Sequence, residues 1–263
     1  MLKSGAESAR LVDASEAGAV LEIVDRDPVA NVFVSSRVRA AASVPWGLGG
    51  ELWGYPAAGR LESLCYAGAN LVPVEAGRDA VRAFSERARR QRRRCSSIVG
   101  PADAVDPLWR LLQPGWGPAR DVRRNQPLMA TSSPSPTPPD PAVRRVRPDE
   151  IDILLPACVA MFTEEVGVSP LASDGGGMYR TRVAELVNSG RSFARIEDGR
   201  VLFKAEIGLV SPGACQVQGV WVAPSRSFAR LRKLASTVPP AVRRAIALRS
   251  ATVRRPAVRV KAC

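Results

Sequence analysis

Five prolines fall within the twelve residues Thr131–Ala142, TSSPSPTPPDPA. Each proline fixes φ and removes a backbone donor, so neither a helix nor a central strand can run through this stretch. The segment reads as an extended, polyproline-like linker that spans several tens of Å at ~3.1 Å per residue. The alternative is a long surface loop within one domain. The linker reading divides the chain into an N-terminal domain at 1–130, a linker at 131–142, a second domain at 143–224, and a tail at 225–263.

The tail is set apart by charge. The chain of 263 residues carries a formal net charge of +13. Residues 225–263 hold 11 Lys or Arg and no acid, which leaves 27 basic and 25 acidic residues before them. The basicity therefore belongs to the tail and is not a property of the folded body. Histidine is absent, which excludes Ser-His and Cys-His nucleophilic pairs and removes the commonest metal ligand. The five cysteines, Cys65, Cys95, Cys158, Cys215 and Cys263, are scattered and show no C-x-x-C spacing. Neither a disulfide framework nor a metal site is expected, and a reducing cytoplasm is the default location. No apolar run reaches the ~18 residues of a membrane span.

In the N-terminal part, Ala14–Ala42 has helical patterning interrupted at Pro28, which separates two helices. Glu51–Tyr55, Arg60–Tyr66 and Asn70–Val74 are short apolar runs bounded by Gly and Pro, as strands are. Gly77–Arg94 is a helix candidate, Cys95–Val99 a strand stopped by Gly100-Pro101, and Ala102–Leu112 a further helix.

The second part is patterned more sharply. Val143–Arg147 reads as a short strand, and Pro148-Asp149-Glu150 opens a helix with acids at its positive end. Met178–Asn188 forms a second helix. Asp198-Gly199 between the apolar runs Ser192–Glu197 and Arg200–Val210 is a hairpin signal, because a tight turn there needs φ > 0 at both residues. Along the second arm Val201, Phe203, Ala205, Ile207 and Leu209 take one face, and Lys204 and Glu206 the other. Ala214–Val222 is the next strand. The fold class is α/β (α+β): a mixed, mainly antiparallel sheet with flanking helices, in two domains.

The phrases LPACVAMFTEEVGVSP (Leu155–Pro170), GRSFARIEDGRVLFKAEIG (Gly190–Gly208) and SPGACQVQGVWVAP (Ser211–Pro224) resemble a bacterial subgroup of the GNAT superfamily of N-acetyltransferases. Members of that subgroup carry an extra N-terminal domain, which GRLESLCYAGANLVPV (Gly59–Val74) and CSSIVGPADAV (Cys95–Val105) resemble. The resemblance implies acetyl transfer from acetyl-CoA to an amine by direct attack in a ternary complex. It also implies that the backbone of Val220, Trp221 and Val222 pairs with the pantetheine arm of acetyl-CoA. A carboxylate near the cleft often deprotonates the amine in this superfamily, and Glu206 is the candidate. The equally open alternative for Glu206 is a solvated strand residue paired with Lys204 or a cross-strand partner. The N-terminal domain is read as a degenerate copy of the same fold.

The family then requires an R/Q-x-x-G-x-G/A loop, whose glycines let backbone N–H groups crowd around the pyrophosphate at a helix N-terminus. Here Pro224 is followed by SRSFARLRKLASTVPPAV, and no glycine follows Gly219. The C-terminal domain is thus expected to be incomplete and catalysis impaired, with no tyrosine after Tyr179 to protonate the leaving thiolate. The foreign composition of the tail has two readings: an evolved basic extension, or translation of GC-rich DNA in a shifted frame, which is favoured. A tail rich in Arg and Pro is not expected to supply the missing sheet, and β-edge exposure is expected at the preceding strand.

Other features carry less chemistry. Glu164 and Glu165, at a helix end, are similar candidates for the base proposed at Glu206, with a solvated helix end the favoured alternative. Gly175-Gly176-Gly177 lacks the Lys-Ser/Thr of a P-loop and reads as a flexible loop. Gly47-Leu48-Gly49-Gly50 runs into a strand, which excludes a dinucleotide fingerprint. The run ERARRQRRR at Glu86–Arg94 is a cationic helix end suited to the negative dipole, or a contact for nucleic acid or CoA phosphate. Cys158 and Cys215 read as core. The rival function is a non-catalytic binding protein whose basic tail contacts nucleic acid weakly and non-specifically, or an acidic surface; only Phe228 in the tail offers a stacking ring. Attachment to a membrane surface through Phe228, Leu231 and Leu234 is a third.

The frame question has a direct test. Translation of the coding DNA beyond codon 224 in the other two frames is expected to give R/Q-x-x-G-x-G/A near its start, followed by a helix and an alternating strand. Early stops in both frames would make the basic tail genuine.

Overall fold

The computed structural model describes residues 8–43, 48–133, 138–172, 175–224 and, for the main chain, 255–262. The chain forms two compact units, one comprising Met1–Thr131 with Ala251–Cys263, the other Ser132–Ser250. Helices flank sheets that are antiparallel except at one strand pair, a mixed α/β architecture.

In the first unit, β1 (Arg10–Leu11) leads through a 3-10 turn at Ala14–Glu16 into α1 (Ala17–Val24) and α2 (Val32–Ser43). Then follow β2 (Gly50–Tyr55), β3 (Ser63–Gly68), β4 (Asn70–Val74), α3 (Arg78–Gln91), β5 (Ser97–Pro101), α4 (Ala102–Trp116) and β6 (Ala119–Leu128). Alternation along the strands supplies two cores. Leu52, Leu64, Tyr66, Val72 and Val74 face Val20, Ile23 and Val24 of α1. Their neighbours Trp53, Cys65 and Leu71 face Phe84 of α3 and Leu108 and Leu112 of α4. Phe84 and Leu64 have no solvent exposure, and truncating such a side chain to Ala costs about 3–5 kcal/mol. The helix expected to reach Arg94 stops at Gln91, because Arg92 turns out of the helical conformation with φ 60.

In the second unit, β7 (Arg144–Arg145) leads through a 3-10 turn at Pro148–Glu150 into α5 (Ile151–Val166), then α6 (Gly177–Asn188), β8 (Ser192–Glu197), β9 (Arg200–Val210) and β10 (Cys215–Val222). The sheet order is β10-β9-β8-β7, all antiparallel. Asp198 and Gly199 take φ of 49 and 69, the left-handed pair that the hairpin requires. Val201 departs from the expected alternation. A register shift between Arg195 and Ile196 lets it join the core under α5 and α6, whereas Phe203 and Ile207 lie in separate clusters with Val143. Asp140, at the end of the proline-rich segment, pairs with Arg195 at 2.7 Å and accepts the Ala142 N–H at 2.9 Å. Residues 134–137 of that segment lie outside the described residues.

The tail differs from expectation. Residues 225–254, including Arg226, Phe228 and Arg230, lie outside the described residues, but Arg255–Ala262 forms β11. It pairs antiparallel with both β5 and β6, giving the seven-stranded order β1-β2-β3-β4-β5-β11-β6. The segment RPAVRVKA alternates basic and apolar residues at its centre, a period of two that suits a strand whatever its net charge. The tail thus supplies a strand, though to the first sheet and not beside β10. β6 itself was not anticipated: ARDVRRNQPL carries too few apolar residues to show a pattern, and its strand partner is remote in sequence.

Each unit contains the order strand, 3-10 turn, helix, helix and three antiparallel strands. The opening turn is also built alike. Arg10 donates both terminal nitrogens to Glu16, at 2.5 Å each, and the Asp13 N–H donates to Glu16 at 3.0 Å. Arg144 donates both to Glu150, at 2.8 and 2.6 Å, and the Arg147 N–H donates to Glu150 at 2.9 Å. In both, a fork of charge-assisted bonds fixes the strand to the first turn of the helix it precedes.

Glu150 is 6 % exposed. The Arg144 fork, aided by the Arg147 N–H, holds its carboxyl down at about 2 against the opposing effect of burial. A depressed carboxyl stabilises the fold fully above its ordinary value of 4.5, and that contribution fades as pH falls towards 2. Glu150→Gln is therefore expected to cost about 2 kcal/mol at neutral pH and progressively less below the ordinary carboxylate value. Urea melts at neutral pH and in the acid window check this; a loss that does not change with pH contradicts it.

Candidate functional site

Lys204 and Glu206 sit one alternation apart on β9, on the face that α5 and α6 cover. The sequence leaves Glu206 open between a carboxylate at a cleft and a solvated strand residue. Lys204 has no exposure, and the Glu206 side chain is 13 % exposed. The Lys204 ammonium donates to Glu206 Oε2 at 3.2 Å, and Gln218 Nε2 on β10 donates to Glu206 Oε1 at 3.2 Å. Both carboxylate oxygens are thus held from within the unit. A buried ammonium without a counter-charge is very costly, so this pairing is required by the burial of Lys204. These are the pairings of the structural alternative for Glu206, with Lys204 and with a cross-strand partner, but the side chain is largely buried and not solvated.

Two helices complete the surroundings. Cys158 of α5 is 1 % exposed, and burial pushes its thiol up, with Lys204 and Glu206 acting on it in opposite directions. Tyr179 of α6 donates its hydroxyl to the Cys158 carbonyl at 2.9 Å, and burial raises its ionisation well above the ordinary range. Cys215 is half-buried on β10.

Next to Glu206, β10 is irregular. Gln218 pairs with Glu206 and Trp221 with Lys204, so Gly219 and Val220 together oppose the single residue Ala205. This is a β-bulge, and Gly219 provides it with φ +58. A Cβ at Gly219 would lie 2.9 Å from Glu206 Cδ. The glycine is therefore required twice, by its backbone conformation and by the carboxylate beneath it.

The bulge sets which way the end of β10 faces. Ala223 N–H donates to Leu202 O at 3.0 Å, and Val222 lies opposite Phe203. By antiparallel alternation the N–H and C=O of Val222 then turn away from β9. Among the described residues β10 pairs only with β9, which leaves that edge open. Val220 is 48 % exposed. Trp221 packs on the α5 and α6 side and donates Nε1 to Glu164 at 3.2 Å. Val222 packs against Phe203 on the opposite face.

The sequence-derived residues Glu206, Val220, Trp221 and Val222 thus lie around one bulge. Glu164 joins them through Trp221. Gly175 and Gly176 take positive φ at the start of α6, and Glu86–Arg94 lies in the other unit. Sequence reasoning named Lys204 as a partner for Glu206 but missed its burial, and it missed the roles of Gln218 and Gly219. The available signal was a lysine between Phe203 and Ala205 on the strand face covered by two amphipathic helices.

Coupling within the ion pair is measurable. Glu206→Leu alone is expected to cost about 3 kcal/mol, because it leaves the Lys204 charge buried and unpaired. Lys204→Met combined with Glu206→Leu is expected to cost less than Glu206→Leu alone. Denaturant melts of the single and double variants check this; additive losses would show that the two groups are uncoupled.

A family model described as a domain of unknown function, DUF4081, matches residues 50–154, from β2 to the start of α5. No curated protein matches the chain. Three solved structures are similar in backbone. One is an acetyltransferase of the GNAT family from Colwellia psychrerythraea, with 11 % identity and a TM-score of 0.47, covering 97 % of this chain and 100 % of that one. Another is a GCN5-related N-acetyltransferase from Sphaerobacter thermophilus, with 13 % identity and a TM-score of 0.47, covering 96 % and 95 %. The third is a conserved protein of unknown function from Bacteroides thetaiotaomicron, with 10 % identity and a TM-score of 0.43, covering 96 % and 99 %.

Proposed function

We propose that residues 143–224 are the acyl-thioester-binding half of an N-acetyltransferase related to the GNAT superfamily, with residues 1–130 a degenerate copy of the same fold and 131–142 the linker. The observation that carries the reading is the open edge of β10, turned outward at Val222 by a bulge that sits over a held carboxylate. The phrases at Leu155–Pro170, Gly190–Gly208 and Ser211–Pro224 support it, as does the repeated order of elements in the two units.

On this reading the acetyl-CoA pantetheine lies along β10 as an added strand, bonded to the N–H and C=O of Val222 and flanked by Val220 and Trp221. The acceptor amine approaches near the bulge. Glu206, positioned by Lys204 and Gln218, takes the ammonium proton directly or through a water, and the freed amine attacks the thioester carbonyl. The carbon–sulfur bond breaks, and CoA leaves as thiolate. The pyrophosphate loop of the superfamily has no counterpart in the sequence after Pro224, so binding is expected to be weak and turnover impaired. Of the two readings of the tail, the pairing of Arg255–Ala262 with β5 and β6 favours an evolved extension for those residues.

The open edge gives a selective test. Proline at an outward-facing position of an edge strand removes a free donor and leaves the internal ladder intact. Val222→Pro is therefore expected to fold, and to abolish the amide chemical-shift changes that millimolar acetyl-CoA produces around Val220–Ala223. Acetyl-CoA shifts that spare β10 in the wild type, or that persist in folded Val222→Pro, rule the site out.

A further inference from the structure

The first unit contains a cavity of about 320 Å3 where β2, the end of β3 and the C-terminal end of α3 meet. Its size lies at the lower end of small-molecule sites, roughly 300–1,000 Å3. Two indoles, Trp53 and Trp116, line it, together with Glu51, Arg92 and Arg94.

The polar groups there are unequally provided for. Glu51 accepts from Trp53 Nε1 and Gln91 Nε2, both at 2.8 Å, and lies 3.5 Å from Arg94. Those bonds, led by that from Gln91, hold its carboxyl below the ordinary range despite partial burial. Its Oε2 already accepts two bonds within the unit, and its Oε1 faces Arg94. Donors, by contrast, are in excess. Trp116 Nε1 and Arg87 Nε are both buried and meet no acceptor among the described residues. Arg87 stacks over the Trp53 ring at 5.4 Å and stands 3.9 Å from Glu51. Arg92, placed by its left-handed backbone just past the end of α3, presents a further exposed guanidinium. Arg87 and Arg94 stand beside the Glu51 carboxylate and Arg92 lines the same cavity, so the local balance is cationic.

We propose that this cavity binds a small aromatic carboxylate of one or two rings. The ring packs against the half-buried indole of Trp116, and the carboxylate is held by Arg92 and Arg94, which recognise a planar anion through paired N–H donors. A cationic ligand is disfavoured, because Glu51, the one carboxylate among the described residues that line the cavity, is already bonded. The site lies wholly in the first unit and does not depend on the acetyltransferase reading of the second.

Calorimetric titration of the full chain with 2-naphthoate, and with the neutral 2-naphthamide as its control, tests the proposal. Saturable binding of one naphthoate per chain is expected, at least about tenfold tighter than that of the amide. Combined Arg92→Ala and Arg94→Ala is expected to remove that preference while leaving the thermal unfolding midpoint in place, both side chains being exposed. Trp116→Ala, which removes the ring, is expected to weaken naphthoate binding several-fold. Absence of binding, equal affinity for acid and amide, or an acid preference that survives the double arginine substitution overturns the proposal.

Discussion

The ammonium of Lys204 has no contact with solvent, and much of the second unit follows from that. An isolated buried charge would cost more than a small domain can sustain, so Glu206 must remain beside it. Glu206 in turn fills the space that a side chain at position 219 would need. The glycine this imposes permits the bulge, and the bulge determines which backbone groups of β10 face outward. A polar pair hidden under two helices thus sets the geometry of the end of β10.

The repeated opening turn works in a related way. In each unit an arginine on a two-residue strand grips a glutamate in the turn that begins the next helix. Strands as short as β1 and β7 have little ladder of their own, and the fork supplies the fixed connection that two residues of pairing do not. The same spacing recurs in both units, Arg10 to Glu16 and Arg144 to Glu150.

Much of the fold was legible in the sequence because the informative elements are local. Asp198-Gly199 specifies its hairpin through backbone conformation alone, and Pro28 separates α1 from α2 without help from the rest of the chain. What escaped depends on partners distant in sequence. β6 and β11 are strands because they meet each other across more than a hundred residues, and neither has an apolar pattern strong enough to announce itself. The burial of Lys204 escaped for a different reason. Alternation tells which residues share a face but not whether that face is covered, and a lysine is read as solvent-facing by default. The candidate site was therefore half visible: Glu206, the residues of β10 and the pairing with Lys204 were named, but not the burial of that pair or the bulge at Gly219.

The return of β11 to the first sheet makes the second unit an insertion within the first. During synthesis β5 and β6 emerge early and stand without the strand that belongs between them. They must wait while the whole of the second unit is translated. For that interval two strand edges are available to any other chain, and the final step in the assembly of the first sheet is deferred until residues 255–262 have left the ribosome. Folding of the first unit is thus paced by the synthesis of the second, and an error in reading the message after codon 224 would be felt in a sheet encoded mostly before codon 130.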